Sequence, residues 1–231
     1  MYDRKIDEKI LDFEASGSLY HSALVMQDDQ TESFWAIMDA KAIGGALEGA
    51  PLVELPISEK TTWAKWRARF PDTMVLSVEG ETHIDRDPYA NYFTSDRTFR
   101  PVEDPDTRLG LKDSIFTFRR DGQEFAVAHK TVLGGWQGTA AGQQVFLYRH
   151  KDDSIYQSTR AYSLIYQDQS VPLVKRRGKW RHADWGEFDP RLGTFAESDV
   201  RLPQIAGIDT FWYIWSQYHP DGVLLSQDGG N

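Results

Sequence analysis

The residues best placed to do chemistry lie in one short stretch, His83-Ile84-Asp85-Arg86-Asp87. If this stretch is extended, side chains alternate, and His83, Asp85 and Asp87 fall on one face. A histidine with two carboxylates can hold a divalent cation or act as an acid–base set. The competing reading is a loop in which Asp87 anchors the following Pro88-Tyr89. Arg86 and Tyr89 of the same stretch count as further ligand contacts. Asp104 and Asp106 could complete a hard-cation site, or bound a turn at Pro105. A second candidate pairs an aromatic ring with a carboxylate, Trp35 with Asp39 and again Trp185 with Asp189. A ring face beside a carboxylate suits a sugar, whereas recurrence of the pair favours a buried anchor in each half.

Other chemistry is excluded or weak. The chain has no cysteine, which removes disulfides, thiolate metal sites and cysteine nucleophiles. His21, His129, His150, His182 and His219 show no HxxxH or HExxH spacing, and no P-loop, GxSxG or GxGxxG occurs. Gly134-Gly135-Trp136-Gln137-Gly138 reads as a loop and not a phosphate cradle. A net charge of −9 argues against a nucleic-acid partner. The one basic cluster, Lys175 to Lys179, reads as a charged hairpin turn. No apolar run reaches the length of a spanning helix. The start of the chain lacks an apolar signal core, which reads as cytoplasmic.

The elements that must position these residues repeat. Trp63, Trp66, Pro71-Asp72 and Leu76-Ser77 recur 149 residues later as Trp212, Trp215, Pro220-Asp221 and Leu225-Ser226, and Trp35 and Asp39 recur 150 residues later. The expectation is a β-rich α+β fold made of two related units, each a small antiparallel sheet with one short Trp-bearing helix. The units span 1–79 and 113–226, with an ordered connection at 80–112 and a frayed tail at 227–231. Trp63, Trp66 and Phe70 give one helix a face that Pro71 ends, with Ser58 as N-cap; Asp209 caps the second helix, whose face carries Phe211, Trp215 and Tyr218. All four helix-borne tryptophans are expected in the core. Ile115–Phe118 and Phe125–Val127 flank Asp121-Gly122 as a hairpin, and Val145–Tyr148 and Tyr162–Tyr166 read as strands. The pattern aligns Tyr2 with Tyr148, so the first unit lacks an opening hairpin. A charged strand from Met1 to about Phe13 then has an open edge, suited to self-association or to missing upstream sequence.

Several motifs together resemble a known family: Ser16-Gly17 with Leu19-Tyr20, Ser22, Leu24 and Met26; Thr31, Ser33 and Trp35; Gly45, Leu47 and Gly49; Thr61-Thr62-Trp63 with Trp66; Pro71-Asp72-Thr73; Arg86-Asp87-Pro88-Tyr89; and Phe211-Trp212 with Trp215. As a set they resemble the prokaryotic family called domain of unknown function 3179, through nearly the whole chain. The resemblance implies a pattern and no chemistry. It also implies an upstream segment with a Tyr-Cys-Pro-x-Cys type motif, and export in many members, so an extracytoplasmic location is the alternative. The reading is a non-enzymatic ligand-binding or structural module taking a small molecule, sugar or peptide, with no evident cofactor. The alternative is a hydrolase-like enzyme using a divalent metal at His83, Asp85 and Asp87.

Overall fold

A computed structural model describes residues 1–55, 59–75 and 89–226. The architecture is β-rich, with small antiparallel sheets and short helices. Near the start, a hairpin of Lys5–Ile6 and Lys9–Ile10 precedes a meander of Phe13–Tyr20, Ala23–Asp28, Phe34–Ala36 and Lys41–Gly44, paired in chain order. Near the end, a hairpin of Ile165–Tyr166 and Gln169–Ser170 precedes a longer meander running from Val174–Arg176 to Ser198–Arg201, also in chain order. Between them lie two further sheets. One has the order Ile208–Phe211, Ser114–Arg120, Gln123–Ala128, Val223–Leu225; the other has the order Arg160–Ser163, Gln143–Tyr148, Trp136–Ala140.

The turn chemistry explains the clearest strands. Asp121 (φ 47°) and Gly122 (φ 75°) are both left-handed, which matches the twist of the strands that they join. Arg177 and Gly178 (φ 50° and 80°) do the same for the basic hairpin. The expected single strand at 162–166 is two, Arg160–Ser163 and Ile165–Tyr166, in different sheets.

The two meanders are anchored by corresponding backbone hydrogen bonds. Asp3 donates to Val53 and Ser163 to Pro203; Leu55 donates to Met1 and Ile205 to Ala161; Leu11 donates to Arg4 and Val171 to Leu164. Isolated bridges join Tyr2 to Glu54 and Tyr162 to Gln204. Tyr2 and Tyr162 thus make like bridges, whereas Tyr148, aligned with Tyr2 by sequence, pairs with Arg160 inside a sheet. Residues 1–13 are also not one strand. They form the Tyr2 bridge and a separate hairpin, and the long strand begins at Phe13. Charge in this segment is partly paired, Arg4 with Asp12 and Lys5 with Glu8.

The helices correspond closely in backbone and differ in burial. Helix α1 is Trp63–Arg69, α2 is Ala90–Thr94 and α3 is Trp212–Tyr218. α1 and α3 end alike, on Phe70 (φ −132°, ψ 76°) and His219 (φ −131°, ψ 66°), each with its N–H on the carbonyl four residues back. The turns that follow also match: Thr73 donates to Phe70 and Gly222 to His219. Thr62 caps α1, its hydroxyl accepting from Lys65 N, while Ser58 lies outside the described residues. Phe211 precedes α3 as its cap residue, and Asp209, expected there, sits inside a strand.

α3 buries Trp212, Tyr213 and Trp215, whereas α1 buries none of its residues and leaves Trp63 half exposed. The expectation of four core tryptophans therefore holds for two. Trp212 and Trp215 pack with Ala23 and Met38 of the first meander and with Ile115 and Ala126 of the sheet that carries Ser114–Arg120 (the central sheet), so α3 is the joint between that meander and that sheet. Gly222 makes this possible, because a Cβ there would stand 2.2 Å from the Trp215 ring. Residues 89–112 also pack on this joint. Asp106 O accepts from Trp212 Nε1 at 3.0 Å, and Arg108 donates to the carbonyls of Pro220 and Gly222. Asp106 is itself paired with Arg108. Phe99 stays exposed.

Beside α3, Tyr2, Glu54, Glu124, Trp215 and His219 border a void of about 30 Å³. Glu54 Oε1, Trp215 Nε1 and His219 Nε2 have no hydrogen-bond partner among the described residues, although Glu124 stands 4.0 Å from His219 Nε2. That size and mix of donors and acceptors suits one water. Burial pushes the Glu54 carboxyl up, reinforced by Glu124 and opposed by Arg119.

Two predictions follow from this burial. Trp215→Ala should destabilise by about 3–5 kcal/mol, and Trp63→Ala by well under half as much, measured by urea denaturation. Equal effects would show that α1 is as deeply packed as α3. Glu54 is an acid with a raised folded-state pKa, so its contribution is present below the usual carboxyl range and fades as pH rises through the folded value. Glu54→Gln should therefore be more stable than the parent at neutral pH, and the gap should close in acid. A gap that widens in acid would contradict the assignment.

Candidate functional site

The register of the central sheet builds the site. Phe211 pairs with Ser114 and Asp209 with Phe116. Opposed residues share a face and alternate residues return to it, so Ser114, Asp209 and Phe211 point the same way. The strand Gln123–Ala128 ends in a 3₁₀ turn, His129–Val132, which delivers His129 to that face. His129 Nε2 lies 2.8 Å from Asp209 Oδ1.

Asp209 is enclosed by donors. Its Oδ1 also accepts from Thr159 Oγ1 at 2.6 Å and Arg149 Nη1 at 3.2 Å, and its Oδ2 accepts from Thr159 N at 3.0 Å. The Asp209 and Arg149 side chains are 4% and 3% exposed. Burial works against the charge on Asp209, but the hydrogen bonds from His129 and Thr159 outweigh it and hold the carboxyl below its usual range. Arg149 also donates to the carbonyls of Gln157 and Ser154, both at 2.7 Å, and to Thr159 Oγ1 at 3.1 Å. Burial lowers its pKa, against the pull of Asp209, yet a guanidinium stays charged. An ionised carboxylate only accepts, so Nε2 of His129 carries the proton and Nδ1 is left with its lone pair while the ring is neutral.

Above this dyad opens a cleft of about 550 Å³. Its walls are aromatic: Tyr89, Tyr92, Phe93, Tyr156 and Phe211, with Ile214. Phe93 meets Tyr156 edge to face at 5.3 Å and lies 5.8 Å from Phe211. Lys112 Nζ sits 3.8 Å over the Tyr92 ring and 4.8 Å over Phe211, bracing the wall from outside the lining. Ser114, His129, Asp209, Thr210 and Lys60 add polar groups to the lining, beside the hydroxyls of the three tyrosines.

Of the residues named from sequence, Tyr89 lines this cleft. His83, Asp85, Arg86 and Asp87 lie outside the described residues. Trp35 is fully buried, with its indole N–H on Asp28 at 2.9 Å, so neither ring face is open to a ligand. Asp28 is buried too; burial opposes its charge, and bonds from Trp35, Thr31 and Ser33 outweigh that and lower its pKa. Asp39 pairs with Lys41. Trp185 stacks on His182 at 4.3 Å, and Asp189 takes the backbone N–H of Arg191 and borders a separate, open depression with Tyr148 and Phe188. Trp35 and Trp185 belong to different hydrophobic clusters. Among the described residues, no group of three or more His, Asp or Glu side chains could hold a metal ion.

Sequence reasoning missed His129 and Asp209. They are 80 positions apart and share no motif. The available signal was a carboxylate within a short strand between Ile208 and Phe211, where a charge needs a buried partner.

Fold and site together define a β-rich α+β protein with an aromatic cleft over a part-buried His–Asp pair. The chain belongs to the family described as protein of unknown function (DUF3179), whose model matches residues 1–222. No curated protein matches it, and no solved structure does. No helix among the described residues is long and apolar enough to cross a membrane.

Asp209→Ala should strand the buried Arg149 charge and destabilise by about 3–5 kcal/mol. Because the Asp209 pKa is lowered, its contribution is present above the usual carboxyl range and is lost as pH falls through the folded value. The gap between parent and variant in urea denaturation should thus shrink in acid; a gap independent of pH would refute an ionised Asp209.

Proposed function

We propose that this protein is a non-enzymatic ligand-binding module whose site is the aromatic cleft above His129 and Asp209. The observation that carries this is a concave, mostly apolar pocket with few convergent polar groups, the usual form of a small-molecule site. The lining draws on Lys60, on the 89–93 segment and on the sheet that carries Ser114, His129 and Asp209. On the reading of two tandem units, 1–79 and 113–226 with a connection at 80–112, the cleft lies where all three meet. Matched backbone bonds and matched helix ends support that tandem reading. The net charge of −9 supports a partner other than nucleic acid.

A second reading, an acid–base enzyme, is favoured by the His129–Asp209 pair, since a carboxylate-oriented imidazole is a competent proton acceptor. The metal-assisted form of that reading rests on His83, Asp85 and Asp87.

Thermal melts against a set of small aromatic molecules, sugars and peptides test the binding reading. An aromatic ligand should raise the parent's melting temperature and do so much less for Phe93→Ala. Ligands that shift both proteins equally would place the site elsewhere. A melt lowered by EDTA and restored by a divalent cation would favour the metal reading instead.

A further inference from the structure

We propose that the cleft selects flat aromatic molecules bearing a hydrogen-bond donor, a ring N–H or a hydroxyl, which His129 reads through its Nδ1 lone pair. This rests on the cleft being the ligand site.

The polarity of His129 is set from behind. Asp209 takes donors from His129, Arg149 and Thr159 and is held ionised among them. Arg149 is tied to the carbonyls of Ser154 and Gln157 and cannot turn toward a ligand without breaking those bonds. The network therefore keeps a proton on Nε2; in the neutral ring Nδ1 is an acceptor, and it bonds to no partner among the described residues. An aromatic ligand that buries this nitrogen must satisfy it, because an unmet acceptor in a closed site weakens binding.

The walls decide the shape. Phe93, Tyr156 and Phe211 present ring edges and faces to the same space, and such surfaces favour another flat ring. Among the described residues, the polar lining beyond the dyad is Ser114, Thr210, Lys60 and the hydroxyls of Tyr89, Tyr92 and Tyr156, the Tyr92 hydroxyl being bonded to that of Tyr213. The rest of the lining is aromatic and aliphatic carbon, which suits an apolar ring with few polar groups.

Indole and benzofuran make the test, because they are nearly isosteric and only indole has a donor. Titrations followed by ligand-observed NMR at neutral pH should show indole binding the parent about tenfold or more tightly than benzofuran. His129→Phe should collapse that difference. His129→Gln should keep part of it, since its amide can donate to Asp209 and turn a carbonyl oxygen to the ligand. Circular dichroism checks that each variant folds, and the parent comparison stands if the Phe variant does not. Equal affinity of the two probes for the parent, or a preference that survives His129→Phe, overturns this inference and leaves the cleft as a binding site. Failure of both probes to bind overturns the inference together with the cleft reading.

Discussion

The buried contact between Asp209 and Arg149 is the constraint on which the site depends. Two opposite charges, each almost wholly removed from water, are stable only if every remaining donor and lone pair is met. That requirement binds four separate pieces of chain into one geometry. The strand Ile208–Phe211 brings the carboxylate, and the end of Gln143–Tyr148 brings the guanidinium at the next residue. The loop that follows folds back so that Ser154, Gln157 and Thr159 satisfy both. The 3₁₀ turn at His129 closes the ring of donors. The imidazole that lines the cleft is therefore held at its Nε2 by a network with little freedom to relax.

The second organising feature is the aromatic joint at α3. Trp212 and Trp215 fill the space between the first meander and the central sheet, and residues 104–112 strap over them through Asp106 and Arg108. The same strap leads back to α2, whose Tyr92 and Phe93 form one wall of the cleft. Stability of the joint and shape of the cleft thus share residues. α1 has nearly the same backbone and none of this burial. It is held by polar contacts, Lys65 to Asp153, Arg69 to Glu59 and Glu59 to Arg160. Equivalent local geometry has been put to two uses, one as core and one as a surface element.

The two Trp–Asp pairs have different surroundings. Trp35 is a core anchor whose polar edge is met by Asp28, a residue outside the repeated pair. Asp28 also accepts from Thr31 and Ser33, so one buried carboxylate staples the turn between two strands and the ring beside it. Trp185 stands half-buried in a turn, against His182. Trp35 thus supports structure, whereas Asp189 borders an open depression with Tyr148 and Phe188.

Local rules were legible in the residues alone. Alternating apolar residues around Asp121-Gly122 dictated a hairpin, because few dipeptides accept two left-handed positions. The spacing of Trp63, Trp66, Trp212 and Trp215 dictated two short helices of equal length and like termination, since Pro71 and Pro220 cannot continue them. β-rich character and family membership were readable for the same reason, as both depend on local pattern. Burial and pairing were not. Trp63 and Trp212 occupy the same place in the same motif, yet one is exposed and the other buried, because burial depends on which distant surface arrives to cover a side chain. Asp209 reads as a helix cap three residues before the first helical residue, Trp212; it became the centre of the site because Arg149, Thr159 and His129 reach it from 50 to 80 residues away. Contacts between residues so far apart leave no periodicity in the chain, and the folded arrangement alone brings them together.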